Sequence, residues 1–213
     1  MIVCWSMKGG SGTTVVAASL ALLRARTQPT WLVDLAGDAP AALGLPEPSS
    51  PGVADWLASP SADSAAFRRL AVPANDLLQI VPVGTTTSLR TVTEARWAEL
   101  GGTLAGLDAH VVVDAGVGPP PSSLLHHAQA SLLVTRSCYL SLRRVAALHT
   151  APTGVVLLLE PGRALAAADV EHAVGAPVVA QVPYDPAVAR AIDAGLLSSR
   201  LPPTLSHPLR RAA

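Results

Sequence analysis

The segment Met7-Lys8-Gly9-Gly10-Ser11-Gly12-Thr13-Thr14 is the part of the chain best equipped for chemistry. Its glycines allow positive φ and let backbone N–H groups approach an anion without interference from a Cβ. A short apolar run at 1–6 precedes it, and an Ala-, Leu- and Val-rich stretch at 14–26 reads as a helix. That helix would turn its unpaired N-terminal donors and positive dipole end toward the same anion. A strand–loop–helix setting is what separates a phosphate-binding loop from an ordinary glycine turn. Thr14, in the first turn, would place its hydroxyl on a Mg²⁺ bound to the phosphates. Lys8 is the only lysine in the chain. A bias against lysine accounts for arginine elsewhere, but not for the one survivor lying in this loop. Asp114 ends the apolar run His-Val-Val-Val-Asp, where a carboxylate next to the loop is well placed to hold Mg²⁺ through water. The alternative is a strand-terminal aspartate that caps the next turn.

The elements that must position these groups alternate strand and helix. Strands are expected at 1–6, 30–35, 77–83, 110–114, 131–135, 154–159 and 177–182. Helices are expected at 14–26, 52–58, 64–70 and 93–107, with others between the later strands, and a loop opens at 84–87. Near-continuous Val/Leu strands between helices indicate a mostly parallel central sheet covered on both faces, an α/β three-layer sandwich. No internal repeat or dividing linker is evident, so residues 1–213 read as one domain. The tail at 202–213, with three prolines, reads as an ordered coil or a frayed end.

Composition narrows the function classes. Half of the 213 residues are apolar but aromatics are 3%, so the core must be built from Ala, Val and Leu. Charged residues are 14%, below the roughly 25% usual for soluble chains. No apolar run reaches the roughly 18–20 residues of a spanning helix, and no basic-then-apolar leader is present, so a soluble cytoplasmic protein is expected. A formal net charge of zero offers no global attraction to nucleic acid or to an anionic membrane. Arg136, Arg143 and Arg144 cluster near one strand end, where they form either a basic edge for DNA or a solvated face. Cys4 and Cys138 read as small buried thiols. His126 and His127 lack a carboxylate or cysteine partner at ligand spacing. No Ser/His/Asp or metal-ligand constellation appears.

Lys-Gly-Gly-Ser-Gly-Thr-Thr resembles the deviant Walker A motif of the MinD/ParA family of P-loop ATPases, which runs Lys-Gly-Gly-x-Gly-Lys-Thr. The resemblance covers nearly the whole chain and implies the P-loop NTPase-type sandwich. It implies that Lys8 is a signature lysine acting in trans across a nucleotide-sandwiched homodimer. It also implies that Gly9, Gly10, Ser11, Gly12, Thr13 and Thr14 cradle ATP and that Thr14 and Asp114 serve Mg²⁺. Asp34 matches a family carboxylate, and Pro183, Tyr184 and Asp185 match the segment near the nucleotide base. The Val-Pro-Tyr-Asp-Pro and Ala-Ile-Asp-Ala-Gly segments are most similar to the TadZ/CpaE branch, which places pilus or secretion machinery at a cell site. The implied partners are therefore proteins of a pilus, secretion or cell-positioning system. Recruitment would be to a pole, septum or inner membrane face, with DNA contact as a further option.

Three departures bear on activity. The second lysine of the motif is Thr13, whose hydroxyl offers one neutral hydrogen bond, roughly half the strength of a charge-assisted one. The carboxylate that orients the attacking water is Ala36. Asp38 either substitutes for it or caps the short helix that follows. The asparagine that contacts adenine is replaced by Glu160-Pro161-Gly162. ATPase ancestry with strongly weakened hydrolysis is the expectation; an active ATPase that partitions DNA or cargo is the alternative.

Overall fold

The computed structural model describes residues 1–46, 49–85, 89–145 and 151–212. Eight strands form one sheet: β1 (Ile2–Ser6), β2 (Thr30–Asp34), β3 (Val72–Pro73), β4 (Leu78–Val81), β5 (His110–Val117), β6 (Ala130–Arg136), β7 (Gly154–Leu159) and β8 (Val178–Pro183). Their spatial order is β3-β4-β2-β5-β1-β6-β7-β8. All neighbours pair in parallel except β3 with β4. The helices are α1 (Thr13–Arg24), α2 (Ala39–Leu43), α3 (Val53–Ala58), α4 (Ser64–Arg68), α5 (Glu94–Ala105), α6 (Ser122–Leu125), α7 (Tyr139–Val145), α8 (Ala167–Val174), α9 (Pro186–Asp193) and α10 (Pro203–Leu209).

Strand periodicity distributes the core between two faces. Leu32, Val112, Leu132 and Val156 face one layer, together with Leu20 of α1 and Leu205 and Leu209 of α10. Val3, Val33, Val111 and Val113 face the other, against Trp56, Phe67, Trp97 and Leu100. Trp5, Leu133, Val155 and Leu157 continue that second layer under α7 and α8. Since both faces are covered, the central strands carry apolar residues at successive positions, as the sequence pattern requires.

The structure departs from expectation in three places. β5 continues past Asp114 to Val117, because Ser6 reaches across to it: Gly118 N–H donates to the Ser6 carbonyl at 2.8 Å and Ser6 Oγ donates to the Gly116 carbonyl at 3.3 Å. The two-residue antiparallel β3 has no periodicity for a sequence pattern to detect. The expected coil at 202–213 is instead α10 over most of its described length. Pro203 stands in its first turn, where no N–H is missed, and Leu205 and Leu209 are buried against the core. Of the loop expected at 84–87, Thr86 and Thr87 lie outside the described residues, as does Ala213 at the end of the tail.

Candidate nucleotide site

The glycine loop leaves the C-terminal end of β1 and enters α1. Gly10 and Gly12 have φ of 73° and 83°, a region costly for any residue with a Cβ. A Cβ at Gly9 or Gly10 would meet nothing within 4 Å, so this side of the loop is open. The loop is closed on itself by side chains: Ser11 Oγ donates to the Lys8 carbonyl at 2.7 Å, and the Ser6 hydroxyl lies 3.1 Å from the same carbonyl, sharing its one hydrogen between it and Gly116. Arg144 Nη1 of α7 donates to the Met7 carbonyl at 3.0 Å, so one arginine of the expected basic edge instead ties α7 to the loop. Gly12 caps α1 with no side-chain acceptor, which leaves the first-turn amides available to an anion. A cavity of about 650 Å³ opens over these groups, lined among others by Gly9, Gly10, Thr13, Thr14, Asp38 and Gly116.

The two strand-end carboxylates lie side by side, since Asp34 of β2 pairs in register with Asp114 of β5. Their environments differ. Asp34 Oδ1 accepts from the N–H of Ala36 at 2.9 Å and of Gly37 at 2.8 Å, and Oδ2 accepts from Ala39 N–H at 3.0 Å. Burial pushes this carboxyl up, and the three amides oppose the rise. Asp34 therefore shapes its own turn and supplies the acceptor at the start of α2. Asp114 Oδ1 accepts from Gly116 N–H at 3.0 Å, while Oδ2 is buried and has no hydrogen-bond partner among the described residues. Burial raises the Asp114 carboxyl to about 6, opposed by the Thr14 hydroxyl and reinforced by the Asp34 charge. A buried carboxylate oxygen without a donor, next to the Thr14 hydroxyl, suits a hydrated divalent cation, so the residues present fit Mg²⁺.

The departures also have structural settings. Thr13 is buried at the start of α1, at 7% exposure. Ala36 lies against Gly116, where an added Cβ would stand 3.2 Å from its methyl. Asp38 occupies the N-cap position of α2 but makes no capping bond; its side chain is exposed and lines the cavity. The cap expected of Asp38 is thus absent: Pro40, at the second helical position, has no N–H to offer it, and the Ala39 amide in the first position goes to Asp34. Lys8 is half-buried, and its ammonium makes no hydrogen bond or ion pair to a described residue.

A second, mainly apolar cavity of about 210 Å³ adjoins the first and shares Gly12, Val15 and Ile192 with it. Val182, Pro183, Tyr184 and Asp185 at the end of β8 form one wall. Asp185 is committed to the scaffold: Oδ1 accepts from Ala187 N–H at 2.8 Å and Oδ2 from the Thr204 hydroxyl at 2.8 Å, which ties α9 to α10. Tyr184 is 65% exposed. Arg136 and Glu160 form the polar rim. Sequence reasoning noted both but did not place Arg136 at this cavity, since only the parallel pairing of β6 with β7 brings their ends together. Val15, Val188 and Ile192 were missed for the same reason: an apolar residue that lines a site carries the same pattern as one in the core.

Residues 2–198 match the family described as CbiA, the CobQ/CobB/MinD/ParA nucleotide binding domain. The chain belongs to that family. No curated protein matches it by sequence. Among solved structures it is similar to a ParA family ATPase from Chlorobium tepidum TLS, with a TM-score of 0.77, 20% identity, and coverage of 98% of this chain and 95% of that one. It is similar to the septum site-determining protein MinD from Pyrococcus horikoshii OT3, solved with Mg-ADP, with a TM-score of 0.73, 16% identity and coverage of 99% and 93%. It is also similar to a Cyanothece McdA variant in complex with ATP, with a TM-score of 0.77, 18% identity and coverage of 98% and 93%. At these identities the likeness is one of fold, and the fold is that of MinD/ParA P-loop NTPases.

Features outside the nucleotide-binding frame of the CobQ/CobB/MinD/ParA family sort as follows. Cys4 is fully buried and its thiol is pushed up, first by burial and then by the Asp114 charge. Cys138 is only partly buried, contrary to expectation, because it precedes α7 at the rim of the sheet. The N–H groups of Ser141 and Leu140 hold its thiol below the ordinary range, aided by the Lys8 and Arg163 charges. His127 packs over Gly101 of α5. Among the described residues no group of three or more His, Cys, Asp or Glu could hold a metal ion, and no helix is long and apolar enough to cross a membrane.

Proposed function

We propose that this protein is a MinD/ParA-like positioning or scaffold protein of the TadZ/CpaE kind, which holds Mg²⁺ and ATP as a homodimer and hydrolyses the nucleotide poorly. The observation that carries this reading is an open amide cradle, with the partnerless Asp114 Oδ2 beside Thr14, at a site where Thr13 and Ala36 replace two chemically active side chains. Gly9 to Thr14 would hold the phosphates through main-chain amides, Thr14 and Asp114 would hold hydrated Mg²⁺, and Lys8 would supply charge to the partner's site. Mg²⁺, when bound, supplies neutralisation of phosphate charge. Protein partners of a pilus, secretion or cell-positioning system would recruit the dimer to a pole, septum or inner membrane face.

The deciding experiment is calorimetry with ATP and Mg²⁺ on the wild type and on Thr13→Lys. Restoring a charge-assisted contact should tighten binding by about tenfold or more. No binding by either protein would sink the reading. One observation favours a second reading, an active ParA-like ATPase that partitions DNA or protein cargo: the Asp38 side chain is uncapped and lines the phosphate cavity. Turnover above background that is lost in both Asp38→Asn and Lys8→Ala would establish it. No turnover would reject it.

A further inference from the structure

Helix α9 has no buried residue: it stands as a wall between two cavities. Val188, Ala189 and Ile192 line the apolar cavity beside the glycine loop. Ala187, Arg190 and Ala191, at helical spacing on another face, line a separate cavity of about 320 Å³. The chain turns back at Gly195, which has a φ of 65°. Leu196 N–H then donates to the Ala191 carbonyl at 2.7 Å, and Arg200 N–H donates to the Leu196 carbonyl at 2.8 Å. Those bonds bring Leu196 and Arg200 to the same cavity as Arg190, and Pro202 and Pro203 complete its lining.

The positive charge of this cavity is unspent. Arg190 and Arg200 are exposed, and among the described residues neither guanidinium makes a hydrogen bond or an ion pair. The one carboxylate in the lining, Asp185, is engaged by the Ala187 N–H and the Thr204 hydroxyl, and Arg190 acts on it only through space. The rest of the lining is apolar, and Leu196 is 47% exposed. We infer that this cavity is a docking site for an acidic segment of a protein partner, in which two carboxylates flank one apolar side chain. A guanidinium takes a carboxylate through two parallel N–H···O bonds, and the apolar side chain would cover Leu196, Ala187 and Ala191. Charge complementarity favours such a segment over a DNA backbone. Two arginines neutralise too few phosphates for firm binding at physiological salt, and a phosphodiester has nothing to fill the apolar floor. The site lies outside the nucleotide cavities, and the inference does not depend on the function proposed for them.

The test selects binders from a random-peptide display library on the whole chain, at physiological salt and without nucleotide. The strongest peptide is then made with a fluorescein label and its affinity read by anisotropy. It should carry two acidic residues around an apolar one, and its counterpart with Asn and Gln in place of Asp and Glu should bind about tenfold or more weaker. Arg190→Ala and Arg200→Ala, each first shown by melting to fold as the wild type does, should also lose about tenfold or more. The double variant R190E/R200E should instead prefer a counterpart with lysine at the acidic positions, which a merely structural role for the arginines would not produce. An empty selection, peptides without acidic residues, or peptides that bind both alanine variants as tightly as the wild type overturn the inference. So does a labelled DNA duplex that binds the wild type more tightly than the peptide and loses affinity in the same variants. Because nucleotide is left out, failure here leaves the proposed nucleotide site standing, and failure of ATP to bind leaves this docking site standing.

Discussion

At Asp114, full burial and the neighbouring Asp34 charge raise the carboxyl, and the Thr14 hydroxyl and the Gly116 amide oppose them. Its value in the folded chain, about 6, stands above the ordinary 3.8, so folding favours the protonated acid. The resulting stabilisation is complete below pH of about 4 and is lost as pH rises through about 6. Above that, the buried charge costs about 2–3 kcal/mol. Asp114→Asn should therefore melt higher than the wild type at about pH 7.5 without ligand and match it near pH 4; a gap that does not change with pH would refute this account. The same substitution should weaken Mg²⁺-dependent nucleotide binding, because it removes the charge a cation would meet. The two thiols differ as sharply. Cys138, partly exposed and with a depressed thiol, should react with a disulfide reagent in the native protein at near-neutral pH, while Cys4 should react only on unfolding. Reaction of both at equal rates would contradict the burial of Cys4.

Among the elements, α10 is the one composition least announces. Three prolines in a twelve-residue tail argue against a helix, yet Pro203 stands in its first turn and Pro208 in its last. At Pro203 a missing N–H costs little, whereas Pro208 lies inside the helix and withholds the amide that would bond the Thr204 carbonyl. What holds α10 is burial: Leu209 at 0% and Leu205 at 2% exposure join the α1 side of the core. Leu209→Ala should destabilise by about 2–4 kcal/mol, a drop in Tm of about 4–12 °C, read by calorimetric or circular-dichroism melting. A change under about 1 °C would mean that the tail is peripheral. α10 also fixes α9 through the Thr204–Asp185 hydrogen bond, so the same substitution should loosen the wall of the apolar cavity. α7, whose Tyr139 and Leu140 are exposed, is tied to the glycine loop in a comparable way by Arg144.

For the whole molecule, the sheet order places the ends of β1, β2 and β5 together, so the glycine loop, Asp34 and Asp114 share one rim. Val117, Tyr139 and Leu140 stand exposed around that rim at 62%, 69% and 56%, apolar surface that suits self-association. If the proposed sandwich forms, light scattering should show a doubling of mass on addition of Mg²⁺ and ATP, and Lys8→Ala should remain monomeric under the same conditions. An unchanged mass in the wild type would separate nucleotide binding from assembly. An unchanged dimer in Lys8→Ala would remove the reason for reading the lone lysine as acting in trans.

By itself the sequence determined the architecture and the place of the glycine loop. Period-2 and period-3.6 apolar patterns are local, and so is a glycine run between a strand and a helix; both can be read without knowing what packs against what. The departures of Thr13 and Ala36 from the resembled motif were legible for the same reason, as differences at fixed positions in short motifs. The tertiary structure decided which polar groups are already spent. Asp34 and Asp185 resemble ligands in the sequence but are occupied by backbone amides and by Thr204, whereas Asp114 keeps an unpaired oxygen and Asp38 an uncapped side chain. It also decided that Arg136, Glu160 and Arg163 meet at one rim, because parallel pairing of β6 and β7 carries residues 24 positions apart to adjoining strand ends. Hydrogen-bond occupancy and burial depend on the sum of distant contacts, and no local spacing encodes that sum.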